Sequence, residues 1–400
     1  MNVIYETKNG RIIQGDNVEV LKELDADSID SCISDFPYAI DFMGKKWDSS
    51  KSFYSWCFDR AQALIRVLKP GAYAAIFGFV KTNHRMKCAF EDAGFIIVDE
   101  IDWIYLTGMP HNQDIGKMFD SAGNSELAIL FKDWKTAGLK PAHETITIFQ
   151  KPMIGTYVEN VETYGTGAMN IGACRVPISK EDIDTINAKA SKNPTTNYQD
   201  CDVRIYGKFS SDYAKPANTD GRFPPNILID EDIAPYIDAQ TGISKSIGGS
   251  GIASTSNRAR NIYVAYNQET NAHYKNDSLG GYGDTGGGSR LFPIFKYVPK
   301  VSPSERRLSN GQRNPHVTLK PVDLIKWLIK LITPINGMTI DITAGSCTHA
   351  VACEMLNVQN GYSLSYIDIE ICNDSENPYC DVGKQRVDDI TSQKKANRLF

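Results

Sequence analysis

An α/β fold, with a doubly wound and mostly parallel sheet and a loop-rich insertion, is what this sequence predicts, and three observations predict it. Apolar runs of strand length alternate with segments of helical periodicity up to about residue 150, and again after residue 290. The stretch between loses that rhythm to asparagine, serine and glycine. At 400 residues the chain exceeds the usual single domain and leaves room for one inserted module. Because both flanks are α/β and the middle is not, the simplest arrangement is one sheet built from the two ends of the chain.

The elements follow in order. A short helix is expected near Val18 to Leu24, then a buried strand from Ile29 through Ile33 that ends at Asp35. Phe53, Trp56, Cys57, Ala61, Leu64, Ile65 and Leu68 share one face of a helix over 53–68. Lys69-Pro70-Gly71 stops that helix, and Ala72 to Phe79 reads as a continuous buried strand. A helix over 81–93 and a strand over 96–102 complete a further unit. The middle carries Asn170-Ile171-Gly172, Arg222-Phe223-Pro224-Pro225-Asn226 and a glycine tract over 280–288. Order returns with a strand from Leu291 to Tyr297, a helix from Val322 to Ile332 and a strand from Met338 to Asp341. A helix over 348–356, a strand over 364–368 and a helix near 378–390 close the series. The expected organisation is therefore 1–154, an insertion over 155–290, and 291–400.

Composition narrows the function classes. Hydrophobic residues at 42% with 23% charged are ordinary globular values and exclude bulk disorder. The chain begins without a basic, apolar leader, and no stretch reaches bilayer length, so no membrane partner and a cytoplasmic location are expected. Nine cysteines form no zinc-knuckle spacing, which predicts reduced thiols and no metal. Net charge is −5, yet nine basic residues stand against two acidic ones between Arg290 and Lys330. Arg290, Lys296, Lys300, Arg306, Arg307 and Arg313 are the candidate phosphate contacts there. A solvated basic surface is the alternative.

Chemistry concentrates at two strand ends. Asp35-Phe36-Pro37-Tyr38 puts a carboxylate, a fixed turn and an aromatic ring where the strand stops. Such a group can hold a flat base and accept hydrogen bonds from its amino group. About three hundred residues later, Met338-Thr339-Ile340-Asp341 runs into Ala344-Gly345-Ser346. This small-residue turn before a helix lets backbone amides approach a nucleoside cofactor. Taken singly, each also reads as an ordinary turn.

The order of these motifs carries a resemblance. Asp35-Phe36-Pro37-Tyr38 comes early and a variable middle follows. Asn314-Pro315-His316-Val317-Thr318-Leu319-Lys320-Pro321 and Asp341-Ile342-Thr343-Ala344-Gly345-Ser346-Cys347-Thr348 come last. The series resembles the β-class DNA amino-methyltransferases, phage and prophage members most. Gly15-Asp16, Leu139-Lys140-Pro141-Ala142-His143-Glu144 and Ser289-Arg290 extend the likeness over nearly the whole chain. It implies a Rossmann-like methyltransferase domain interrupted by a target-recognition insertion, with S-adenosylmethionine as cofactor and double-stranded DNA as partner. A homodimer and a cognate restriction nuclease are further partners of this kind.

The resemblance also implies roles. Asp35 and the carbonyl of Pro37 would accept hydrogen bonds from the exocyclic amine of a flipped base, and Tyr38 would stack on it. Phe36, Asp341, Ala344, Gly345 and Ser346 would surround the cofactor, with Glu370 on its ribose hydroxyls. His316, Thr318 and Lys320 would lie beside its methionine end, and Asp16 beside its adenine. The aspartate-led tetrapeptide favours adenine N6 over cytosine N4. Phe36, Ile342-Thr343 and Cys347 depart from the family, which usually has proline, a Pro-Phe pair and glycine there. A side chain at Cys347 is expected to crowd a turn that needs φ > 0 or a close approach. The rival reading is a catalytically degenerate relative that binds DNA as a decoy or anti-restriction factor. Methylation of RNA or protein on the same fold is a third.

Overall fold

The computed structural model describes residues 1–39, 52–106, 108, 110, 112–184, 187, 220–245, 285–295, 308–309, 311, 313–316, 318–359 and 361–397. The chain divides into two compact units, one of Met1–Cys174, Pro224–Ala234 and Phe292–Phe400, the other of Arg175–Phe223 and Pro235–Leu291. Each is taken by itself.

The larger unit holds strands β1 (Asn2–Glu6), β2 (Gly10–Gln14), β3 (Ile29–Asp35), β4 (Leu68–Gly78), β5 (Ile96–Ile104) and β6 (His143–Gln150). In the smaller unit, β8 (Ser244–Lys245) and β9 (Thr285–Gly286) pair antiparallel. The larger unit resumes its sheet with β7 (Ile227–Asp230), β10 (Ile294–Phe295), β11 (Met338–Asp341) and β12 (Ser365–Glu370). These ten strands lie in the order β1-β2-β12-β11-β3-β4-β6-β5-β7-β10. The contacts of β2 with β12, β12 with β11, β11 with β3 and β3 with β4 are parallel. Antiparallel contacts join β1 to β2 and seat β6 between β4 and β5. One mixed, mostly parallel sheet is thus built from both ends of the chain.

The helices include α1 (Asn17–Glu23), α2 (Phe53–Val67), α3 (Asn83–Asp92), α4 (Ile115–Ser121), α5 (Ser125–Leu130), α6 (Tyr157–Tyr164), α7 (Ala234–Thr241), α8 (Val322–Ile332), α9 (Thr348–Gln359) and α10 (Tyr379–Asn397). Local chemistry sets several of their ends. Asp16 caps α1 by accepting from the amide of Val18 at 2.9 Å. Thr156 and Glu159 form a reciprocal capping box on α6.

Two apolar layers cover the sheet. One includes Phe53, Cys57, Ala61, Leu64 and Val67 of α2 with Met86, Ala89 and Phe90 of α3. The other includes Leu324, Ile325, Leu328, Ile329 and Ile332 of α8 with Ala350, Val351, Cys353 and Leu356 of α9. The central strands β3 and β4 are buried along nearly their whole length, β3 with Asp30, Ser31 and Ser34 among its buried residues.

The expected elements recur with particular differences. β4 starts at Leu68, the last residue of the expected helix, and takes in the expected stop; Pro70 and Gly71, with φ +79°, are absorbed in an irregular register against β3. Of the strand expected over 291–297, the described part is Ile294–Phe295: Leu291 ends a 3₁₀ turn, Pro293 supplies no amide, and Lys296 lies outside the described residues. Tyr297 lies outside the described residues. The β1–β2 hairpin, β6, β7 and helices α4 to α7 were not expected from the sequence. Eight cysteines are described, all as free thiols. Among the described residues no helix is long and apolar enough to cross a membrane, and no cluster of metal-ligating side chains occurs.

Candidate functional site

β2, β12, β11, β3 and β4 all point their carboxyl ends to one rim of the sheet, where open α/β sheets bind ligands. A cavity of about 330 Å³ opens there. Its lining includes Asp35, Phe36, Pro37 and Tyr38 from the end of β3, and Asp341, Ala344, Gly345 and Ser346 from the turn after β11. Asp16, His316, Thr318, Lys320 and Glu370 line it too. The two distant sequence motifs are therefore neighbours.

Hydrogen bonds join the two strand ends directly. Ser34 Oγ donates to Asp341 Oδ1 at 2.6 Å, and Thr343 Oγ1 donates to the Asp35 carbonyl at 3.0 Å. Thr343 thus ties the glycine turn to the tetrapeptide and itself lines the cavity. Phe36 is 2% exposed, edge-on to Trp56 at 5.2 Å and packed on Phe90. It anchors the tetrapeptide in the apolar layer.

The turn is held by Glu370. Its Oε2 accepts from the Gly345 amide at 2.7 Å and its Oε1 from the Cys372 amide at 2.8 Å. Gly345 has φ +51°, and a Cβ there would come 2.5 Å from His316 Nε2. Glycine is needed both for the backbone and for the close approach of that ring. Cys347 also has a positive φ, +58°. Its side chain is fully buried and is not among the residues lining the cavity. Gly383 of α10 gives it room: a Cβ on Gly383 would come within 2.8 Å of Cys347 Cβ.

Charge gathers around Tyr38. Lys320 Nζ donates to Asp35 Oδ2 at 2.8 Å and to the Tyr38 hydroxyl at 3.0 Å, and lies 3.2 Å from Glu144 Oε2. The Tyr38 hydroxyl donates to Glu144 Oε2 at 3.0 Å, and its ring stacks on Phe79 with centroids 5.5 Å apart. Burial works against the Lys320 charge, but Asp35 and Glu144 outweigh it and hold its pKa above the ordinary lysine value. Burial, opposed by Lys320 and reinforced by Glu144, raises the Asp35 pKa. Asp35 Oδ1 is buried with no hydrogen-bond partner among the described residues, an acceptor held ready at the cavity. Asp341 is pushed up to about 7 by burial and then by the Asp368 carboxylate.

The basic segment fares differently. Lys320 is only 9% exposed and belongs to the carboxylate cluster, not to a phosphate-tracking surface. Arg290 donates to the carbonyls of Gly286 and Gly287. Arg313 is exposed. Lys296, Lys300, Arg306 and Arg307 lie outside the described residues.

Sequence reasoning missed several lining residues. Trp56 and Arg60 both line the cavity, with the Arg60 guanidinium over the Trp56 ring at 4.1 Å and 3.3 Å from Asp16 Oδ2. Their spacing of four on one helix was the available signal. Asn17 and Tyr379 line it as well. Glu144 stands behind Lys320 and Tyr38; the resemblance took in Leu139 to Glu144 but gave Glu144 no role in the site.

A carboxylate and a glycine turn on adjacent parallel strands, opening into one cavity, define an α/β domain with a ligand site at its strand ends. The family is that of the N6/N4 DNA methylases: its model matches residues 29–385, and the chain belongs to it. The type II methyltransferase M.HindIII of Haemophilus influenzae is 26% identical over 198 residues. That match takes in 40% of this chain, and the chain spans 64% of the length of this curated relative. Among solved structures, the cytosine-N4-specific PvuII DNA methyltransferase aligns over 98% of this chain and 94% of its own, at 14% identity and a TM-score of 0.46. A Thermus thermophilus protein, TTHA0409, solved with S-adenosyl-L-methionine, aligns over 95% and 93% at 12% identity and a TM-score of 0.41.

Proposed function

We propose that this protein transfers a methyl group from S-adenosylmethionine to the exocyclic amine of a base flipped out of duplex DNA, adenine N6 before cytosine N4. One observation carries the reading: the unpartnered Asp35 Oδ1 and the Gly345 turn line the same cavity.

The residues present fit the cofactor. Gly345 stands where a Cβ would fill the space before His316, and the carboxylates of Asp35 and Glu370 suit a cationic ligand. Asp16, Phe36, His316, Thr318, Lys320, Asp341, Ala344, Gly345, Ser346 and Glu370 would hold it. When bound, S-adenosylmethionine supplies an electrophilic methyl on a sulfonium.

The rest is done by this chain. An exocyclic amine is a poor nucleophile because its lone pair is delocalised into the base. Asp35 and the Pro37 carbonyl accept from its two N–H groups, which localises the lone pair and aims it. Tyr38, braced on Phe79, offers the extruded base a π-face. The preference for adenine rests on the aspartate that leads the tetrapeptide. Residues 155–290 are read as the target-recognition region, with Arg290, Lys296, Lys300, Arg306, Arg307 and Arg313 as phosphate contacts. A second copy of the chain and a cognate restriction nuclease are proposed partners, in the cytoplasm.

Nucleoside mass spectrometry of DNA from cells expressing the protein tests the reading. Methylated adenine is the expected product. Cytosine methylation would overturn the base preference. DNA retention with no cofactor binding by calorimetry would establish the decoy reading instead.

A further inference from the structure

Glu144 is not among the residues lining the cavity, yet it touches both groups that stand between it and Asp35. Its Oε2 lies 3.2 Å from Lys320 Nζ and accepts from the Tyr38 hydroxyl at 3.0 Å. Its Oε1 accepts from the Tyr105 hydroxyl at 3.4 Å. Glu144 and Lys320 are 13% and 9% exposed. A buried ammonium bridging two carboxylates leaves a cluster with one net negative charge.

We propose that Glu144 is a positioning residue of the site: it shares Lys320 with Asp35 and supplies the negative charge by which the site holds a sulfonium in preference to a neutral thioether. The proposal rests on the methyltransferase reading and deepens it. Without Glu144, Asp35 and Lys320 would cancel, and the cluster would offer a cationic ligand no net charge.

Charge then balances along the whole reaction. Before transfer, one net negative charge in the cluster meets one positive charge on the ligand. As the amine lone pair forms the N–C bond and sulfur keeps the electron pair of the broken S–C bond, the nitrogen sheds one proton. Asp35 takes that proton and later yields it to water. Protonated Asp35 leaves Lys320 paired with Glu144, a neutral cluster beside a neutral thioether. Glu144 also raises the Asp35 pKa and so favours this acceptance. Neither carboxylate alone gives this balance at both ends.

The test is the ratio of affinities for S-adenosylmethionine and S-adenosylhomocysteine, measured calorimetrically on the full chain. Glu144→Gln should weaken S-adenosylmethionine binding by on the order of tenfold and leave S-adenosylhomocysteine unchanged. Binding of the neutral ligand shows that the variant is folded. Lys320→Gln should move the ratio the other way. A ratio that stays put in Glu144→Gln, whether both affinities hold or fall together, overturns the proposal. A wild-type protein that binds neither ligand overturns the methyltransferase reading beneath it, which is a different result.

Discussion

Cys347 and Gly383 divide a single space: the cysteine, at φ +58°, points its side chain into the gap that the glycine of α10 leaves by having none. Glycine to alanine inside a helix ordinarily stabilises by about 0.5–1 kcal/mol. Gly383→Ala should instead destabilise by about 1–3 kcal/mol, the usual effect of overpacking a filled core. Cys347→Gly, which empties the contested space, should restore most of that loss when combined with it. Urea unfolding of the two single variants and the double reads the coupling directly, and a Gly383→Ala protein as stable as the parent would refute it.

Asp35→Ala should lower methyl transfer by about 10²-fold or more and, by removing one negative charge of the Lys320 cluster, weaken S-adenosylmethionine binding by on the order of tenfold, while S-adenosylhomocysteine affinity stays within a few-fold. The carboxylate meets the amine, whereas the turn around Gly345 is held by Glu370. Radiolabel transfer alongside calorimetry checks this. Loss of S-adenosylhomocysteine binding together with activity would mean that Asp35 serves the fold of the rim.

Tyr38→Phe keeps the ring on Phe79 and removes the hydroxyl that meets Lys320 and Glu144. Tyr38→Ala removes the stacking face as well. Base extrusion, followed by fluorescence of 2-aminopurine at the target position, should be weakened by about 1–3 kcal/mol in the alanine variant and much less in phenylalanine. Equal losses in both would shift the burden to the hydroxyl.

Stability should fall as pH rises from the ordinary aspartate value of 3.8 toward about 7, and Asp341 is the reason. Its folded pKa is raised, so in that window the folded state carries a proton that the unfolded chain has released. The favourable contribution is complete below the unfolded value and gone above the folded one. Asp341→Asn should flatten this part of the stability profile in denaturant titrations at stepped pH. An unchanged slope would assign it to another group.

Much of this was legible in the sequence, for physical reasons. The strand over 338–341 and the helix over 322–332 were found at their observed limits, because their apolar residues recur at the spacing of a buried strand and of one helix face. β1 escaped notice because it is a largely exposed strand with no buried face to pattern it. β6 lies antiparallel between β4 and β5, and strand order is a property of pairing that composition does not encode. The same limit hid the role of Glu144: the resemblance took in Leu139 to Glu144, but the pairing with Lys320, far along the chain, is a product of the fold. At Cys347 the backbone demand was readable, but the compensating glycine on α10 was not.

The seating of β12 and β11 between β2 and β3 has a further consequence, for biosynthesis. Ser34 and Asp341, joined in the finished protein, are 307 residues apart. A ribosome adding about 5–20 residues per second leaves a gap of roughly fifteen seconds to a minute between their emergence. Through that interval β2 and β3 each present an edge with no neighbour, a liability for intermolecular pairing. The nascent chain should therefore lean on chaperones more than its finished stability would suggest, and the catalytic rim should be assembled last.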